Sequence, residues 1–135
     1  MQDYPLLVRH VAERAETVFP NREIVSRTQD GVERSTYAQV VERARRLASS
    51  LERLGVQRGD RVATFGWNSV RHLELYLAVP SMGAVLHTLN IRLFEEDLHY
   101  IVGHVEDKVI CLDASLARNR QALATSLSTV TRFNA

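Results

Sequence analysis

The sequence predicts an α/β fold: a partial layered domain with a mostly parallel sheet flanked by helices, preceded by an N-terminal helix and a β-hairpin. Three observations predict it. From residue 61 onward the pattern runs strand, helix, strand, helix, strand, helix, the alternation of a parallel sheet with helices over its faces. Val109-Ile110-Cys111-Leu112 is apolar without interruption, as a strand buried on both faces must be. Apolar residues make up 45% of 135 residues, enough to build one domain core.

The elements follow in order. Over residues 6–18, Leu7, Val11, Ala15 and Val18 recur at helical spacing. Pro20-Asn21 breaks the chain. Residues 23–28 read as a short strand, Asp30-Gly31 as a turn, and residues 32–35 as the strand that pairs back. The clearest element is a helix over residues 37–54. Thr36 is its N-cap and Gln39 completes a capping box. Val40, Ala44, Leu47, Leu51 and Leu54 form one stripe, Glu42 and Arg46 pair one turn apart, and Gly55 stops the helix.

Gln57-Arg58-Gly59-Asp60 is a turn into a strand over residues 61–66. Asn68 or Ser69 caps the next helix, which carries Val70, Leu73 and Leu77; Pro80 bends or ends its last turn. Residues 84–89 read as a strand. Residues 94–103 read as an amphipathic helix, with Leu98, Ile101 and Val102 inward and Glu95, Glu96 and Asp97 in its first turn, where acidic groups suit the macrodipole. A strand over residues 108–112, a helix over residues 114–127 and the start of a strand at residues 130–133 complete the chain.

Composition excludes several function classes. Seventeen basic residues face sixteen acidic ones, a formal charge of +1, so there is no basic excess for a nucleic-acid backbone. The single cysteine, Cys111, rules out an internal disulfide and a cysteine-based metal cage. No apolar stretch reaches the roughly 18 residues of a membrane span. The first residues lack a basic, apolar leader, so the expected location is the cytoplasm.

Few residues carry chemistry. The six glycines, Gly31, Gly55, Gly59, Gly66, Gly83 and Gly103, form neither G-x-G-x-x-G nor a Gly-rich loop ending in Gly-Lys-Ser/Thr. His10, His72, His99 and His104 read as exposed helix histidines. Glu95 and His99 share a helix face, but no third metal ligand joins them. His87 stands apart because its strand is otherwise apolar; it reads as a hydrogen-bonded core or strand-end residue, with a functional role as the alternative. Arg58-Gly59-Asp60 spells an adhesion tripeptide but reads as a turn. Cys111, in a buried strand, reads as an unreactive small hydrophobe.

The order of these pieces resembles a known family. Ser35-Thr36-Tyr37-Ala38-Gln39-Val40, Arg43-Ala44-Arg45-Arg46-Leu47-Ala48 and Leu54 to Ala63 are similar to the N-terminal signature of the AMP-forming adenylating enzymes. The likeness continues through Trp67-Asn68-Ser69 and Met82-Gly83-Ala84-Val85. His87-Thr88-Leu89-Asn90-Ile91-Arg92-Leu93 and residues 101–113 narrow it to the fatty-acyl-CoA synthetases. The resemblance covers residues 4–133. It implies a two-step reaction: a carboxylate attacks the α-phosphorus of ATP to give an acyl adenylate and pyrophosphate, and coenzyme A then displaces AMP. It also implies Mg²⁺, ATP and coenzyme A as cofactors of a complete enzyme.

The departures matter as much. The family's phosphate loop, adenine motif, ribose-binding aspartate, hinge and catalytic lysine have no counterpart in residues 1–135, and Ser126-Leu127-Ser128-Thr129 lacks the glycine and lysine of that loop. No catalytic, cofactor-binding or metal residue is therefore expected in this chain. The resemblance implies structural roles for the Gly59-Asp60 turn, Asn68 as a cap and Gly83-Ala84 at a close approach. It places Asn90 and Arg92 at a strand end, where they and His87 would lie near the substrate side of a complete enzyme. The expected reading is an incomplete N-terminal portion of the AMP-binding domain, inactive alone, whose partner is the missing remainder or a second copy. A free-standing α/β binding or interaction module built on the same half-fold is the alternative, and an unrelated small α/β domain a third.

Overall fold

A computed structural model describes residues 3–28, 31–119 and 130–132. The elements are α1 (Val8–Val18), β1 (Glu23–Thr28), β2 (Gly31–Thr36), α2 (Tyr37–Arg53), β3 (Arg61–Phe65), α3 (Val70–Ser81), β4 (Val85–Thr88), α4 (Glu95–Val105), β5 (Val109–Leu112), a 3₁₀ turn (Ala114–Asn119) and β6 (Val130–Arg132). β1 and β2 form the expected antiparallel hairpin. The other four strands form one parallel sheet in the order β4-β3-β5-β6.

The expected apolar strand explains the layers. All four residues of β5 are buried. Ile110 and Leu112 join Ala63, Phe65, Leu89 and, from α4, Leu98 and Val102. Val109 and Cys111 join Val62, Leu51 of α2 and Val79 of α3 on the other side. Successive strand residues point to opposite faces, so β5 needs cover on both, and α4 and the α2–α3 pair supply it.

Most of the α2 expectations hold, Leu54 of the expected buried stripe excepted. Thr36 Oγ1 accepts from Gln39 N–H at 3.3 Å, and the Gln39 side chain accepts from Thr36 N–H at 2.9 Å. Val40, Ala44 and Leu51 are buried, while Leu54, at the C-cap, is exposed. Arg46 Nε donates to Glu42 at 2.9 Å. Pro80 does not end α3 at once; the helix runs to Ser81, where the chain turns anyway. Gly83 carries a positive φ of 85°, and a Cβ there would sit 3.2 Å from Arg58 Cγ, which accounts for glycine at the expected close approach.

Three expectations change. Ser69, not Asn68, caps α3, its hydroxyl accepting from His72 N–H. The stripe that marked α1 is largely uncovered: Val11 and Val18 are exposed, and Ala12 is the buried residue of that helix. The segment after β5 opens as a 3₁₀ turn rather than an α-helix, and the remainder of that expected helix, residues 120–127, lies outside the described residues. Asp30 and Phe133 lie outside them as well.

Candidate functional site

Strand order decides where a site sits. After β3 the chain passes through α3 to β4 on one side, then through α4 to β5 on the other side of β3. The strand order therefore reverses between the neighbours β3 and β5. In open α/β sheets ligands bind outside the carboxyl ends of such a pair. A cleft of about 90 Å³ lies there, walled by Thr64, Gly66 and Trp67 from the end of β3, His72 from α3, and Cys111 and Asp113 from the end of β5.

The polar groups of the cleft are held in two sets. Thr64 Oγ1 lies 2.9 Å from His72 Nε2. Burial pushes the His72 imidazole below its ordinary pKa, and the backbone of Trp67 pulls weakly the other way. His72 Nδ1 is shut off from solvent and has no partner in hydrogen-bond geometry. In the second set Trp67 Nε1 donates to Ser115 Oγ at 3.0 Å, and Ser115 donates to Asp113 Oδ1 through its hydroxyl at 2.7 Å and its backbone N–H at 3.0 Å. Cys111 borders the cleft but is inert: burial pushes its thiol up to about 12. That agrees with the reading from sequence.

The predicted candidates are split between the ends of the sheet. Asn90 and Arg92 lie past the carboxyl end of β4, both exposed, with Asn90 Oδ1 accepting from Arg92 N–H at 3.0 Å. His87 points the other way. It sits in register with Ala63 of β3, and its Nδ1 lies 2.8 and 3.0 Å from the two carboxylate oxygens of Asp107, just before β5 on the other side of β3. The Asp107 side chain is wholly buried, and that burial raises its pKa against the opposing pull of His87. His87 is thus a hydrogen-bonded core histidine. Arg61–Glu106 and Lys108–Asp60 pairs surround it at the amino end of the sheet.

Sequence reading missed His72, classed there with exposed helix histidines, and missed the Trp67–Ser115–Asp113 set. A hydroxyl at the end of a strand and a histidine in the first turn of the following helix was an available signal for Thr64 and His72. Asp113 had none, because its relation to Trp67 depends on strand order.

The sequence profile of the AMP-binding enzymes matches residues 12–133. The chain belongs to that family. A long-chain-fatty-acid–CoA ligase of Thermus thermophilus is 50% identical over 134 residues, covering 98% of this chain and 25% of that protein. A 3-methylmercaptopropionyl-CoA ligase of Ruegeria lacuscaerulensis is 40% identical over 134 residues, with 98% and 25% covered. Among solved structures, a fatty acyl CoA synthetase of Mycobacterium tuberculosis superposes with a TM-score of 0.84 at 26% identity, over 94% of this chain and 26% of that one. The chain spans about a quarter of the length of these relatives. Its α/β architecture is that of acyl-CoA synthetases.

The cleft at the carboxyl ends of β3 and β5 is too small for a nucleoside triphosphate. Ligand pockets of that kind run to roughly 300–1,000 Å³, against about 90 Å³ here. The one lysine of the chain, Lys108, is at the far end of the sheet, bonded to Asp60 at 2.7 Å.

Proposed function

We propose that this chain is the N-terminal portion of the AMP-binding domain of a fatty-acyl-CoA synthetase, and that it supplies scaffold rather than reacting groups. The supporting observation is the match of nearly the whole chain to a quarter of each ligase relative. The reaction of the complete enzyme, ATP-dependent activation of a carboxylic acid followed by thioester formation with coenzyme A, needs phosphate-binding groups that residues 1–135 lack. Mg²⁺, ATP and coenzyme A then belong to the complete enzyme, and no residue of this chain is assigned to them. The chain contributes the β3–β5 core, the α2–α3 cover and the switch-point cleft. No helix among the described residues is long and apolar enough to cross a membrane, and we assign the chain to the cytoplasm.

The test is carboxylate-dependent exchange of pyrophosphate into ATP by the purified chain, with medium- and long-chain fatty acids. No exchange above the enzyme-free background is expected. Exchange that follows the chain through purification would overturn the reading.

A further inference from the structure

β4 is the outer strand of the sheet, and no strand among the described residues pairs with its outer edge. Val85 N–H donates inward to Asp60 carbonyl and Leu89 N–H inward to Thr64 carbonyl, each at 2.8 Å. Alternation along a parallel strand therefore turns the N–H and C=O of Leu86 and Thr88 outward. Beside this edge runs an apolar groove of about 630 Å³, walled by Val8 of α1, Tyr76, Leu77 and Pro80 of α3, and Val85 and Leu86 of β4. None of these side chains is charged. Tyr76 and Val85 are each about half exposed. Free edges are ordinarily protected by charge, proline or a bulge, and β4 has only its shortness.

We infer that this edge and groove form a docking surface for a β-strand from the part of the synthetase fold that this chain does not contain. The inference rests on the function proposed above. The relatives share the fold of this quarter and carry three further quarters of chain, which must pack against it somewhere. The groove adjoins backbone groups that only a strand satisfies in full. Its uncharged walls call for apolar side chains, the composition of a strand buried on both faces. An added strand would place alternate side chains into the groove while its backbone pairs with Leu86 and Thr88.

The experiment compares the chain alone with a chimera in which residues 12–133 replace the matching quarter of the Thermus thermophilus ligase. Val85→Glu and Thr88→Pro are made in both. Val85 is half exposed in the chain, and proline is tolerated where a strand N–H faces solvent. Neither change is expected to shift the urea midpoint or the hydrodynamic size of the chain alone. Each is expected to lower the Tm of the chimera by several degrees and reduce its acyl-CoA formation. Unchanged Tm and activity in both chimeric variants would overturn the inference. So would a chain that is dimeric alone and made monomeric by either change, since a second copy would then cover the edge. A folded parent chimera that makes no acyl-CoA would sink the proposed function, while its Tm still reports on the edge.

Discussion

Ser26→Ala removes a buried bond that ties the hairpin to α3. Val70 is the first residue of α3, so its N–H is one of the four donors a helix cannot satisfy from within. Ser26 Oγ, from β1, accepts that N–H at 2.7 Å, and the two residues are 7% and 1% exposed. Alanine leaves the N–H where water does not reach and adds no compensating contact. An unmet buried donor costs about 1–3 kcal/mol, a large share of the roughly 5–15 kcal/mol that holds a domain together. The assay is urea unfolding, with the midpoint expected to fall and the slope to stay unchanged. Ser50→Ala is the control, because its hydroxyl donates to the Arg46 carbonyl and accepts from Arg53 on the exposed side of α2, where water replaces both partners, and alanine favours a helix interior. Amide exchange should also show Val70 and β1 losing protection together. A Ser26→Ala chain within about 0.5 kcal/mol of the parent, the range of surface changes, would refute the reasoning.

Other outcomes follow from single groups. Thr36→Ala removes half of the reciprocal cap of α2 and should cost about 0.5–2 kcal/mol in chemical denaturation. His72 is held below its ordinary value of 6.5 by burial. A base with a depressed folded pKa contributes stability that is present above the unfolded value and lost as pH falls through the folded one. The parent chain should therefore lose stability below pH 6.5 relative to His72→Gln, and parallel pH profiles for the two would contradict this. Cys111 should resist alkylation by iodoacetamide at neutral pH in the folded chain and react at once in denaturant, with mass spectrometry as the readout.

Much of the fold was legible because its signals are local. The Thr36–Gln39 box, each step of the α2 stripe and the Gly55 stop act over no more than four residues, and tertiary packing agrees with most of them. Val109 to Leu112 was legible for a different reason: a run with no polar side admits only a two-sided burial. The α1 stripe was read correctly as a helix, yet its Val11 and Val18 remain exposed, since periodicity specifies a helix and not what covers it. The choice of Ser69 over Asn68 as cap turned on one residue of register, the least certain feature of any helix boundary. The site was less legible. The cleft depends on β5 lying beside β3 rather than beside β4, and no local pattern states strand order. His87 was visible as an oddity in its strand, but its partner Asp107 is twenty residues away across β3, so only the structure separates a buried pair from a substrate contact.

The central claim is that residues 12–133 are an interchangeable scaffold quarter of a fatty-acyl-CoA synthetase. The most direct measurement is ATP- and coenzyme A-dependent formation of fatty-acyl-CoA by the parent chimera with the Thermus thermophilus ligase, set beside the chain alone. The account predicts product from the chimera and none from the chain. A chimera that unfolds cooperatively yet forms no acyl-CoA, or product from the chain alone, would contradict it.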